Sequence, residues 1–82
     1  MKFGVYSIRD VKSGFMSPTL EQSDVMAARN FESAIMSSKE GLFTTHAEDF
    51  ILYKIGEFDS ETGVVSPLAL IQVIREGGEA DV

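Results

Sequence analysis

The 82-residue sequence predicts an α+β fold, in which two β-hairpins form an antiparallel sheet of about four strands and one main helix packs on one face. Two observations carry that prediction. Two runs rich in β-branched and aromatic residues each lead into the same Asp-to-Gly turn pattern, and a single amphipathic stripe at helical period lies between them.

The first run, Lys-Phe-Gly-Val-Tyr-Ser-Ile-Arg-Asp over residues 2–10, packs well on a pleated surface and reads as a strand. It ends at Asp10-Val11-Lys12-Ser13-Gly14, where a turn-initiating Asp and a Gly able to take positive φ bring the chain back as a short strand over 15–17, before Pro18. Residues 50–58 are a second such run, followed by Asp59-Ser60-Glu61-Thr62-Gly63 and then Val64-Val65-Ser66-Pro67. Both copies read Asp, three residues, Gly, two apolar residues, Ser, Pro. The backbone demands of one loop length suffice to produce that match, without an internal duplication.

The helix is predicted at about 24–38. Ser23 or Asp24 can accept hydrogen bonds from the free amides of its first turn, and Ala27, Phe31, Ala34 and Ile35 fall on one face. Ser37, Ser38 and Gly41 end it, and a loop over 42–49 leads to the second hairpin. After Pro67, Leu70, Ile71 and Ile74 share a helical face and Gly77-Gly78 supplies a stop, so a short C-terminal helix is expected at about 68–76; Ile71, Val73 and Ile74 also suit a strand. Residues 1–77 are expected to form a single domain, and 78–82 an acidic flexible tail.

Composition narrows the function. Apolar residues make up 44% and charged residues 24%, which is the range of globular domains rather than of disorder. With no cysteine, disulfide scaffolds, thiolate zinc sites, iron–sulfur ligation and thiol nucleophiles drop out. No run approaches the roughly 20 apolar residues of a membrane span, and the opening residues lack a signal-like apolar stretch, so a soluble intracellular protein without a membrane partner is expected. A core this small also favours a homodimer.

The net charge of -6 argues against indiscriminate phosphate binding, but its distribution is uneven. Residues 1–41 are neutral, residues 42–82 carry the whole excess, and within residues 1–20 the balance is positive through Lys2, Arg9 and Lys12. Enzyme signatures are poor. His46 beside Glu48 and Asp49 is better read as a surface His with helix-start acids than as a metal or catalytic centre. The Asp59 to Gly63 stretch lacks the twelve-residue frame and terminal Glu of a calcium loop, and no nucleophile elbow, phosphate loop or dinucleotide fingerprint occurs, so no cofactor is expected.

For nucleic acid, the informative combination is basic residues interleaved with aromatics on a sheet. Alternation puts Lys2, Gly4, Tyr6 and Ile8 on one face of the first strand; in the second run it sets Ile51, Tyr53 and Ile55 against Phe50, Leu52 and Lys54. If the Tyr6 face is outward, Lys2, Tyr6 and Tyr53 offer bases a stacking platform, with Arg9, Lys12 and Lys54 following the phosphates. If it is inward, the tyrosines belong to the core, which residue types alone favour.

Met1-Lys2-Phe3-Gly4-Val5-Tyr6-Ser7-Ile8-Arg9-Asp10, then Gly14-Phe15, Pro18, Asp24, Ala28-Arg29-Asn30-Phe31, Glu48-Asp49-Phe50, the run Leu52 to Asp59, and Thr62-Gly63 resemble the small nonstructural protein of gokushoviruses, single-stranded DNA bacteriophages of the microvirus family. The resemblance covers roughly residues 1–67. It implies a nonenzymatic DNA-binding or replication-associated protein, made in the cytoplasm of the infected bacterium and absent from the mature virion. Such a protein would act when synthesis switches to single-stranded genomes. The candidate contacts are then Lys2, Tyr6, Arg9, Lys12, Tyr53 and Lys54, with single-stranded DNA as the expected partner. The runner-up is an acidic adaptor for a phage or host replication protein, engaging a basic surface through Glu57, Asp59, Glu61, Glu76, Glu79 and Asp81.

Overall fold

The computed structural model describes residues 1–37 and 46–80. In chain order they form β1 (Lys2–Asp10), β2 (Gly14–Phe15), β3 (Thr19–Glu21), α1 (Asp24–Ser37), a 3-10 turn (Ala47–Asp49), β4 (Phe50–Asp59), β5 (Val65–Glu76) and α2 (Gly77–Ala80). The sheet has five strands, all antiparallel to their neighbours, in the order β2-β1-β4-β5, with β3 on the same edge of β1 as β2. The α+β class is therefore as the sequence predicts. The helix is also where expected; position 38 and the loop residues 42–45 lie outside the described residues.

The two turns are built alike. Asp10 accepts the Lys12 N–H and Asp59 the Glu61 N–H through a side-chain oxygen, each at 2.9 Å, and the closing residues Gly14 and Gly63 take φ of +112° and +76°. The Asp-to-Gly pattern thus reports backbone chemistry in both hairpins.

Two parts of the sheet differ from expectation. The first hairpin's return is only two residues long, and the chain then forms β3, which pairs Leu20 with Val5 and so adds a fifth strand. The larger correction is residues 68–76, which continue β5 and are not a helix. A turn of the Asp59–Gly63 type delivers the chain directly alongside β4, whose second edge is otherwise unpaired. Ladder bonds along β4 then outweigh a nine-residue helix that would be marginal by itself, and Val65, Ile71, Val73 and Ile74 suit the pleat. Pro67 is tolerated because β5 is an edge strand.

The core lies between α1 and one face of the sheet. Tyr6, Ala27, Phe31, Ile35, Ala47, Phe50 and Leu52 are buried together, with Ile8 and Ile74 packed against them. Of the predicted helix face, Ala27, Phe31 and Ile35 are buried and Ala34 is half-buried. Burying a side chain the size of Phe31 is worth about 1.5–3 kcal/mol, so these few residues supply most of the driving force. The cap is settled by geometry: Ser23 Oγ accepts the Met26 N–H at 3.2 Å and Ser23 O accepts the Ala27 N–H at 3.0 Å. No helix among the described residues is long and apolar enough to cross a membrane.

Candidate nucleic-acid interface

The helix covers one face of the sheet and leaves the other open, and the register decides which side chains occupy each. Tyr6 is opposite Lys54 and Ile8 opposite Leu52, so Tyr6, Ile8, Leu52 and Lys54 point toward α1. Ser7 is opposite Tyr53 and Arg9 opposite Ile51, so these point to the open face. The β1–β4 register shifts once, by a bulge at Ile55 between the pairs Val5–Gly56 and Tyr6–Lys54.

This division separates the six residues singled out from the sequence. Tyr6 is a core residue, 1% exposed, whose hydroxyl donates to Asp24 Oδ1 at 2.5 Å. Burial first, then that hydrogen bond and the negative charges of Asp24 and Glu21, push its phenol well above the usual range. Lys54 lies on the same side, its Nζ 3.8 Å from Asp24 Oδ1. Lys2 is at the other end of β1, opposite Asp59, and lines a shallow cleft with Glu57 and Asp59. Tyr6, Lys54 and Lys2 therefore do not converge with the rest, and the inward arrangement of Tyr6 holds.

Arg9 and Tyr53 do come together, through a residue that the sequence reading passed over. Phe15, opposite Arg9 across the β1–β2 pair, is 51% exposed. The Arg9 guanidinium carbon is 5.9 Å from the Phe15 ring centroid, and the Phe15 and Tyr53 rings meet edge to face at 5.6 Å. Ser7, buried below them, anchors the return segment by donating to Met16 O at 2.6 Å. Lys12 stands exposed at the tip of the adjoining turn. The signal for Phe15 was present, since a residue directly opposite Arg9 across a tight hairpin must share its face; the pairing register was the missing knowledge.

A planar cation over an exposed Phe15 ring that meets the half-buried Tyr53, on an open sheet face with a lysine at its rim, is suited to stacking unpaired bases while holding a phosphate. Against that geometry, comparison with known families is decisive on kinship: the model of the phage ORF5 protein family matches residues 3–80. The chain belongs to the phage ORF5 protein family. No curated protein and no solved structure matches it.

In this phage ORF5 chain the charges are sorted by face. Glu21, Asp24, Glu32 and Glu57 are on the helix side, as shown by their pairing with Asn30, with Tyr6 and Lys54, with Arg75, and opposite Gly4. Arg75 Nε lies 2.9 Å from Glu32 Oε1 as an ion pair, without the alignment of a hydrogen bond. The open face holds Arg9 and, opposite Ile51 at the far edge, Glu76. The acidity of the whole chain therefore does not extend across the Arg9–Phe15–Tyr53 cluster. His46 is exposed, at a cleft shared with Asp10, Lys12, Asp49 and Phe50.

Proposed function

We propose that this phage protein is a nonenzymatic DNA-binding protein that takes single strands on the open sheet face and assists or regulates viral genome replication, including the switch to single-strand synthesis. It works in the cytoplasm of the infected bacterium, as a homodimer, and uses no cofactor. The observation that carries the reading is the Arg9–Phe15–Tyr53 cluster, with Arg9 and Phe15 exposed and Tyr53 half-buried, on the face of the sheet that α1 does not cover. Membership of a phage family and the resemblance to gokushovirus nonstructural proteins support the setting.

The contacts proposed are Arg9, Lys12, Phe15 and Tyr53. Lys2, Tyr6 and Lys54 are left out because they lie at the far end of β1 or under the helix. Each base stacked on an aromatic ring contributes about 1–3 kcal/mol, so Phe15→Ala is expected to weaken binding of a labelled single-stranded oligonucleotide by about 5- to 150-fold in fluorescence anisotropy. Tyr53→Ala is expected to behave similarly, and Lys54→Ala to leave affinity unchanged. Equal affinity of wild type and Phe15→Ala would sink the assignment. The adaptor reading draws on a different observation, the acidic hairpin end formed by Glu57, Asp59 and Glu61. It predicts no oligonucleotide binding by wild type at low salt, and loss of a basic protein partner when these three acids are neutralised.

A further inference from the structure

The Arg9–Phe15–Tyr53 cluster occupies one end of the open sheet face, and a second aromatic pair stands at the other. Phe3 is opposite Phe58 across β1 and β4, and their rings lie 6.4 Å apart with an interplanar angle of 36°. Alternation along β1 places Phe3 on the same side as Ser7 and Arg9, the side that α1 does not cover. Both rings are half-buried, so each keeps part of its surface in water. Val65, opposite Phe58 on β5, is 63% exposed, as expected of an uncovered face.

The ground between the two pairs carries no charge: it is Val5 and Ser7 on β1, with Ile55 and Gly56 on β4. Across the sheet, by contrast, the face ends at Glu76, and beyond Arg9 the turn holds Asp10 beside Lys12. For a polyanion on a chain of net charge -6, the route along β1 and β4 is the one of least repulsion that leads from Arg9 to further rings. The route also has an end. Past Phe58 the chain enters the turn that carries Asp59 and Glu61, the latter's side chain 83% exposed, and the acid-free surface stops. Its length sets how much strand it holds. Phe3 lies four residues from Ser7, which is opposite Tyr53, so the two pairs are about 13 Å apart at the rise of a β-strand. Bases stacked at intervals of about 3.4 Å cover that distance in about four nucleotides. That is the lower end of the site sizes of sheet-based single-strand binders, about 4–16 nucleotides.

We infer that the ligand of this face is an unpaired segment of about four nucleotides lying along β1 and β4, held by Arg9, Phe15 and Tyr53 at one end and stacked on Phe3 and Phe58 at the other. This rests on the DNA-binding reading above and gives that site its second half and its boundary. Fluorescence anisotropy of the full chain with labelled oligothymidylates of about two to eight nucleotides tests it. Affinity is expected to rise up to about four nucleotides and then to level, apart from the statistical gain of added registers. Phe58→Leu keeps apolar volume but removes the stacking ring. It is expected to weaken binding of the four-nucleotide strand at least about 5-fold, so that the variant no longer distinguishes it from the dinucleotide, with the circular dichroism spectrum of the wild type. Phe3→Leu is expected to do the same and stands in if Phe58→Leu does not fold. Affinity that levels at two nucleotides, or that climbs undiminished to eight, would overturn the bounded path and leave the Arg9 cluster standing. So would folded leucine variants that still gain from two nucleotides to four. No binding of any of these strands by wild type would remove the DNA-binding reading itself, and this inference with it.

Discussion

Tyr6 shows how one side chain can be both core and polar anchor. Its ring lies back over Gly4, where a Cβ would fall 2.5 Å from Tyr6 Cε2, so the absence of a side chain at position 4 is what lets the ring fold inward. Its hydroxyl reaches Asp24, which also pairs with Lys54, so one carboxylate joins β1, β4 and the start of α1. Asp24 is half exposed, which screens the pair, and Tyr6→Phe is therefore expected to cost about 1 kcal/mol in urea unfolding. The pH dependence has a definite sign. The folded-state phenol titrates above its ordinary value of 10.0, so the folded protein holds the proton more tightly than the unfolded chain. Its contribution is complete below pH 10 and is lost as pH rises above it, at up to about 1.4 kcal/mol per unit. The stability difference between wild type and Tyr6→Phe should accordingly shrink as pH is raised beyond 10; a difference that stays constant would show that the hydroxyl is not held as described.

At the scale of elements, the helix depends on a local signal and the sheet on a nonlocal one. Ser23 satisfies an amide at the start of α1, leaving Asp24 available to Tyr6 and Lys54, so Ser23→Ala is expected to lower stability by about 1 kcal/mol with the helix bounds retained, read by thermal unfolding and far-ultraviolet circular dichroism. A loss below about 0.3 kcal/mol would mean that water or Asp24 takes over the cap. Cap, stripe and both Asp-to-Gly turns were legible in the sequence because each is decided within a few residues. β3 and the continuation of β5 were not, because a three-residue strand has too little pattern to read and the choice between helix and strand at 68–76 was made by the edge of β4. How the candidate residues divide between the two faces was illegible for the same reason. Alternation correctly puts Arg9 apart from Tyr6, but the expected platform joins Tyr53 to Tyr6, while the β1–β4 register puts Tyr53 opposite Ser7.

For the molecule as a whole, the question is how a chain of net charge -6 holds a polyanion. Sorting by face answers it only in part, since among the described residues the proposed surface offers two cations, Arg9 and Lys12, against Asp10 in the same turn as Lys12 and Glu76 at the far edge. Binding must then rest mainly on stacking, with counterion release secondary. For single strands each neutralised phosphate contributes about -0.7 to the slope of log affinity against log salt, which gives about -1.4 for one protomer and about -2.8 for a homodimer engaging both sites. Salt also screens the repulsion between the strand and the acidic helix side, which makes the observed slope shallower still. Titrating a labelled single strand across a salt series should therefore give a slope no steeper than about -3, falling by about 0.7 per site in Arg9→Ala, whereas Phe15→Ala should lose affinity with its slope unchanged. A slope steeper than about -4 would require more cations than the open face possesses, and would move the DNA path to another surface.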